Sequence, residues 1–587
     1  MLLVGLIKKP VEKPKLLPSG LAFRILCSLG SYQVIAVTDS FMANIEVTAS
    51  GWLVTESAIP SRKHTESTEI DEKQLEGINI LSVITIDKQA SSLSIFKPTH
   101  SGRSLYYYMD GRDSAFFCST HISLLKHFGV PICENSAVLP EFFVYRYVMP
   151  PNTLYFGIKQ FLSGQRMRVS VTGNSISMKE TCHFTPPPET IRKDLSMKAI
   201  ANRNLDILKE SLRFLLPFKD KPAVLLSGGL DSSILAVILQ TLCGVDITFS
   251  TDYPFDDEES SIEKKYALTA AEALGTSHTY YKVSMRDYLC GFVEAIGTLE
   301  EPLPHLQSVM FYLLYGSGIP KERYILLQGF GVDGAYGPDI CYLLHHYRLA
   351  NYFAGLPGVR NLLWLGTKII GKGQPLVRLL YKPRGELNNP EHILWQIGEY
   401  GSIEWVQQTF GVSKERIIEE RLATLSSYQN YSLNDLISIY NVVGEVAVEQ
   451  FMCSKLGEKQ GRIIIVPYAN QEVLDFVYTI PWALKLQEYK HVLREVARLA
   501  GIPEFIITRP KSGFGTQTDA WAARGGAFEP LLQICGDVFD ITELQAMQSE
   551  EPKSANTFWN MLNYAIWKQI HIDGKSVSDL TAALNIG

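Results

Sequence analysis

The chain lacks most of the features that assign a protein to a class at sight. Its nine cysteines are scattered and odd in number, and no two stand as Cys-x-x-Cys. That argues against a disulfide framework and a cysteine zinc cluster, and it suits a reducing compartment. No run of about 20 uninterrupted apolar residues occurs, so no transmembrane helix is expected. The first residues, Met1-Leu2-Leu3-Val4-Gly5-Leu6-Ile7-Lys8-Lys9-Pro10, carry their charges after a short apolar run, whereas a secretory signal carries them before it. The expected location is therefore the cytoplasm. Neither sign of charge dominates: 55 basic against 61 acidic residues leave a net charge of −6. Nothing in that balance points to nucleic acid. Internal repeats and low-complexity tracts are also missing.

What remains is ordinary globular material in quantity. The 587 residues are 46% hydrophobic, 20% charged and 11% aromatic, which excludes wholesale disorder. That length predicts about two to four domains. From Leu21 to Glu180, short alternating segments such as Arg166-Met167-Arg168-Val169-Ser170-Val171 predict a β-rich region, with a short helix at Ile122–His127. The run Pro186-Pro187-Pro188 continues neither a helix nor an inner strand, and the domain junction is placed there. A long helix over about Lys193–Leu215 follows. The next part alternates strand and helix: strands at Ala223–Leu226, Asp246–Ser250 and Tyr324–Leu327, and a helix over Ser260–Leu274 stopped by Gly275. Such alternation predicts a parallel α/β sheet. From Ile340 onward the pattern is mostly helical.

The richest segment is Ser227-Gly228-Gly229-Leu230-Asp231-Ser232-Ser233, set between an apolar strand and the apolar stretch Ile234–Leu239. The glycines let the backbone approach a ligand. The turn's N–H groups and the helix start make an anion site. No lysine follows the glycines, so this is not the Gly-Lys-Ser/Thr phosphate loop. It looks like the pyrophosphate loop of enzymes that cleave ATP between the α and β phosphates. A second glycine turn, Gly329-Phe330-Gly331-Val332-Asp333-Gly334, follows the strand ending at Leu327. Turns after parallel strands gather at one edge of the sheet, so Asp231 and Asp333 are expected to share one Mg²⁺-pyrophosphate.

Further on stand Val466-Pro467-Tyr468, Glu472-Val473-Leu474-Asp475-Phe476, Tyr489-Lys490-His491-Val492-Leu493-Arg494 and Arg509-Pro510-Lys511-Ser512-Gly513-Phe514-Gly515. In order and spacing these resemble the synthetase domain of the asparagine synthetase family. That family includes asparagine synthetases, β-lactam synthetases and the macrolactam cyclases of lasso peptides. Ser104-Leu105-Tyr106-Tyr107, Phe117-Cys118-Ser119-Thr120, Asn152–Ile158 and Ser163-Gly164-Gln165 are similar to its class II glutaminase domain. No likeness is found over about Pro338–Asp435.

The resemblance implies an α/β protein. A β-rich, glutaminase-like sandwich spans 1–188. A parallel ATP-pyrophosphatase synthetase domain spans 189–587, with a basic helical insertion over about 340–435. It implies ATP and Mg²⁺, with Leu226, Ser227, Gly228, Gly229, Ser232, Ser250, Gly329, Gly331 and Lys490 at the nucleotide and Asp231 and Asp333 at the metal. Lys490 and Lys511 match two lysines near the phosphates and the developing charge. Glu449, with Glu445 as second candidate, matches the acid that deprotonates the amine; both lie on an expected helix, Glu445–Leu456, four residues apart on one face.

The departures from the family pattern matter as much. A working glutaminase of this kind needs a nucleophilic cysteine at residue 2, where this chain has Leu2, and Cys27 lies too far in. Asparagine synthetases have Glu where Phe330 stands, and a Glu-x-Arg where Ile463, Ile464 and Ile465 stand. β-Lactam synthetases have Tyr at Phe330, paired with the downstream acid. These differences favour a lasso-peptide cyclase in antibiotic biosynthesis, with a precursor core peptide as substrate and a protease and a peptide-recognition protein as pathway partners. A β-lactam synthetase-like enzyme, an ammonia-dependent asparagine synthetase-like enzyme and an inactive nucleotide-binding scaffold remain alternatives. The stretch His345–Gly385, with seven Lys/Arg and no Asp/Glu, reads as a solvated insertion or as a surface for a peptide, an acidic partner or a membrane face.

Overall fold

The computed structural model describes residues 1–8, 14, 17–39, 43–48, 51–57, 80–99, 101–111, 115–182, 184–191, 195–218, 220–254, 258–342, 344–345, 394, 398–509, 518–549 and 551–584. Lys511, with its neighbours Pro510, Ser512 and Gly513, and the basic stretch from residue 346 to 385 lie outside the described residues.

Two antiparallel six-stranded sheets occupy the first third of the chain. One runs Ile158–Gln160, Tyr106–Met109, Ala115–Ser119, Leu2–Lys8, Tyr32–Asp39, Leu21–Leu29; the other runs Ser175–Cys182, Arg166–Thr172, Ser92–Phe96, Ile80–Asp87, Gly51–Ser57, Ala43–Val47. Alternation sends Leu2, Val4 and Leu6 into a core shared with Ile84, Ile86, Leu93 and Ile95. The alternating segments read from Leu21 onward are preceded by one more strand, Leu2–Lys8, a near-continuous apolar run buried on both faces, so its sequence shows no polar–apolar alternation.

The other face of the first sheet, with Leu3, Ile35 and Phe117, belongs to a core that also holds Phe292, Trp559 and Trp567. Buried charge joins the same two parts of the chain. Arg103 forms ion pairs with Glu56 and Glu458, and Arg421 Nη1 lies 2.8 Å from Glu141 Oε1. Glu300 accepts from the backbone of Ile122 and Ser123 at 3.0 and 2.9 Å and pairs with Lys455.

The parallel sheet has five strands in the order Ser277–Lys282, Ile247–Asp252, Pro222–Leu225, Ile325–Leu327, Ile463–Ile465. Pro222–Leu225 is first in the chain and central in space, so strand order reverses beside it, next to Ile325–Leu327. A crevice opens at the carboxyl end of such a switch point, and ligands bind there in open α/β sheets. Both glycine turns leave from these two neighbouring strands. The helix Leu230–Cys243 then covers the sheet and stops at Gly244, whose φ is +68°.

The other expected elements fall close to their places: strand Ile247–Asp252, helix Glu258–Leu274 and helix Ile122–Lys126. The long helix is Met197–Ser211, capped by Ser196 and followed by a tighter turn over Arg213–Phe218 that contains Pro217. Among the described residues beyond Ile340, the regular elements are helical except for the edge strand Ile463–Ile465. Among the described residues, one helix, Leu433–Lys459, is long and apolar enough to cross a membrane, and 72% of its apolar window is buried inside the protein.

Candidate functional site

A cavity of about 600 Å³ opens at the switch point. Among the described residues, every one singled out from the sequence for ATP, metal or catalysis lines it except Gly228. Gly228 shapes the turn instead. Its φ is +73°, and a Cβ there would stand 2.4 Å from the Tyr266 carbonyl oxygen, so no side chain fits. The two glycine turns also touch each other: a Cβ on Gly329 would come within 3.2 Å of Asp231 Cβ and the Ser232 nitrogen.

Serines hold the first turn. Ser227 N donates to Ser232 Oγ at 3.2 Å, and Gly229 N donates to Ser227 Oγ at 3.3 Å. Tyr468, from Val466-Pro467-Tyr468, donates its hydroxyl to the Asp231 carbonyl at 2.9 Å. Ser250 is buried and contacts His278 Nε2 at 2.9 Å, while Thr248 contacts the other ring nitrogen at 2.9 Å. Burial lowers the His278 pKa.

Asp231 and Asp333 converge on one point. Lys490 Nζ lies 2.6 Å from Asp231 Oδ2 and 3.0 Å from Asp333 Oδ1. Burial by itself would lower the Lys490 pKa, but the two carboxylates outweigh it and hold the ammonium charged. Tyr489 donates to Asp333 Oδ1 at 3.1 Å; burial and then the Asp333 charge keep its phenol protonated. Two hard-oxygen donors that already share one cation fit Mg²⁺. Lys490 sits just before the helix His491–Leu499 with φ +53°, and this left-handed turn precedes the helix.

Glu445 and Glu449 line the cavity from the long helix, which widens into a π-type turn over Val442–Val446. Gly444 lets that turn press against Met149, whose sulfur would be 2.9 Å from an added Cβ. Phe330 lines the cavity and packs edge-on against Phe311, ring centres 5.7 Å apart.

Several residues here were not singled out from the sequence. His305 Nε2 lies 3.6 Å from Glu449 Oε1, yet nothing in the local sequence ties it to a helix so far along the chain. Burial, then the charge of Arg146, pushes its pKa down to about 3. Arg146 stacks its guanidinium 3.2 Å from the Tyr400 ring centre. Arg509 belongs to the motif Arg509-Pro510-Lys511. It donates to the Ser227 carbonyl at 3.2 Å and lies over the Tyr266 ring at 3.9 Å, pinning the first turn to the helix Glu258–Leu274.

In the N-terminal sandwich, Leu2 is fully buried in the core, and its backbone N–H donates to Thr120 Oγ1 at 2.9 Å. Cys27 lies half-buried in the strand Leu21–Leu29, where burial raises its thiol pKa. That disfavours a nucleophilic thiolate.

Comparison with known proteins gives the family. The model of the asparagine synthase family matches residues 205–430 and 450–566, more than half of the chain, and the match corrects the reading above by running through most of the stretch Pro338–Asp435, where no likeness was found. Proteins named putative glutamine-hydrolysing asparagine synthetases in Mycobacterium bovis and Mycobacterium tuberculosis are each 22% identical to it over 480 residues, covering 78% of this chain and 71% of the relative. With its two glycine turns at the switch point of a parallel sheet, the chain belongs to the asparagine synthase family, whose members are ATP-dependent amide-forming ligases.

Proposed function

We propose that this protein activates a carboxylate with ATP, releasing pyrophosphate, and captures the acyl-adenylate with an amine carried by the substrate itself, closing a macrolactam on a peptide. The observation that carries the adenylation step is the convergence of Asp231, Asp333 and Lys490 where two glycine turns meet. The turn amides and Lys490 bind the triphosphate. Asp231 and Asp333 would hold Mg²⁺, which would supply charge neutralisation at the pyrophosphate leaving group. The substrate carboxylate oxygen attacks the α-phosphorus, and pyrophosphate departs. The amine attacks the carbonyl, and AMP departs. Lys511 is assigned the oxyanion and Glu449 the amine proton.

Leu2 is enclosed where a glutaminase needs a cysteine, which leaves the substrate's own amine or free ammonia as the nitrogen source. Two features support a peptide with its own amine over the amidation of aspartate by free ammonia. The strand Ile463–Ile465 is apolar where asparagine synthetases carry Glu-x-Arg. Phe330 offers neither a carboxylate nor a hydroxyl to the cavity. A tethered amine also gains greatly in effective concentration. We assign a precursor core peptide as substrate, a pathway protease and a peptide-recognition protein as partners, and the cytoplasm as location. The named relatives favour a second reading, amidation of aspartate. Co-expression with candidate precursor peptides tests the first: loss of one water from the peptide supports it. Turnover of aspartate and ammonia alone contradicts it.

A further inference from the structure

Ser250 lines the cavity from the strand Ile247–Asp252 and is 8% exposed. A chain of hydrogen bonds runs back from it, away from the cavity. Thr248 and Ser250 stand two residues apart on that strand, so both point to one face of the sheet. His278, opposite Thr248 on the neighbouring edge strand Ser277–Lys282, sets its ring between them. Ser250 Oγ is 2.9 Å from Nε2, and Thr248 Oγ1 is 2.9 Å from Nδ1. Thr248 Oγ1 is also 3.0 Å from Thr276 Oγ1. Thr276 in turn donates to the Ala271 carbonyl at 3.4 Å.

The far end sets the direction of this chain. A carbonyl only accepts, so the Thr276 proton points to Ala271 and the Thr276 oxygen accepts from Thr248. With its own proton engaged, Thr248 accepts from Nδ1–H. Burial lowers the His278 pKa and keeps the ring neutral, so Nε2 is an acceptor and takes the Ser250 proton. Ser250 then turns only lone pairs towards the cavity. We propose that His278 sets the nucleobase specificity of the site: by holding the Ser250 proton it makes Ser250 a pure acceptor, which selects a purine with an amino group at position 6 over one with a carbonyl there. This rests on the ligase reading, which puts ATP in the cavity. With the phosphates between the two glycine turns, the base is left the end lined by Ser250 and Tyr280. That end lies over the strands on the far side of Pro222–Leu225 from Ile325–Leu327 and the second turn. His278 does not line the cavity; it is a positioning residue that acts through Ser250.

The test is isothermal titration of the full chain with Mg·ATP and with Mg·ITP, whose base carries a carbonyl at position 6. Wild type is expected to bind ATP at least about ten-fold tighter, because the ITP carbonyl would face an oxygen that has no proton to give. His278→Leu frees the Ser250 hydroxyl to donate. Thr248→Val frees the ring to carry its proton on Nε2, with the same effect at Ser250. In each variant the preference for ATP should shrink to within about three-fold, with cooperative thermal unfolding retained. Loss of the fold in one variant leaves the other to decide. A role in holding the fold alone would weaken both nucleotides equally and keep the preference; that result overturns the inference. Equal affinity of wild type for ATP and ITP overturns it too. Failure of wild type to bind either nucleotide removes the ligase reading itself, and the base specificity with it.

Discussion

Asp231 and Lys490 form an ion pair of 2.6 Å across the mouth of the first glycine turn, although 259 residues separate them. The same ammonium lies 3.0 Å from Asp333 Oδ1, between the two carboxylates proposed to hold Mg²⁺. Lys490→Met removes it. The expected results are a fall in AMP formation of about 10²- to 10³-fold, the usual cost of losing one charge-stabilising donor, and tighter Mg²⁺ binding without nucleotide. Isothermal titration reads the second effect; unchanged Mg²⁺ affinity contradicts a shared site.

Gly228 and Gly331 both have positive φ, +73° and +90°, but differ in room. A Cβ at residue 228 meets the Tyr266 carbonyl at 2.4 Å, whereas at residue 331 its nearest neighbours are 3.5 Å away. Gly228→Ala is expected to abolish Mg·ATP binding. Gly331→Ala should cost only its backbone strain, about 1–3 kcal/mol. Nucleotide titration of both variants checks the order.

Arg103 neutralises Glu56, which is fully buried, and Glu458 on the helix that carries Glu449. Arg103→Met leaves those carboxylates without their guanidinium, a change that costs about 3–5 kcal/mol for a buried pair. Denaturant unfolding should show that loss. A change below about 1 kcal/mol, the value of a surface pair, would mean the network does not hold the two parts together.

Two adjacent glutamates give opposite pH dependences. Burial would raise the Glu300 pKa, but Lys455 and His121 outweigh it and hold the carboxyl well below the usual range. Its contribution to stability is present above about pH 4.3 and is lost as pH falls below that. Burial, with some help from the Glu300 charge and against Lys455, pushes Glu301 up to about 8. The folded chain therefore keeps a proton that the unfolded chain releases, and Glu301 costs stability as pH rises from about 4.3 to 8. Glu301→Gln should raise the melting temperature at pH 8 and leave it nearly unchanged at pH 4. Equal shifts at both pH values contradict the assignment.

The central strand, its glycine turn and the following helix were legible because apolar run, glycines and apolar helix stand consecutively. The pairing of Asp231 with Asp333 was legible because both follow buried strands. Lys490 was recognised by motif, but its left-handed backbone was not, since helical residues follow it at once. The edge strands Ser277–Lys282 and Ile463–Ile465 escaped for different reasons. The first is mostly polar and aromatic, and the second has three residues within a helical context. His305 was invisible because its partner lies on a distant helix and its chemistry depends on burial.

The central claim is that a substrate carboxylate becomes an acyl-adenylate at Asp231, Asp333 and Lys490. The most direct measurement follows ¹⁸O from the acidic side chain of a candidate precursor peptide during turnover with Mg·ATP. The account predicts one ¹⁸O in AMP for each peptide that loses a water, and none with Asp231→Asn. Release of ADP, or ¹⁸O in inorganic phosphate, would contradict it.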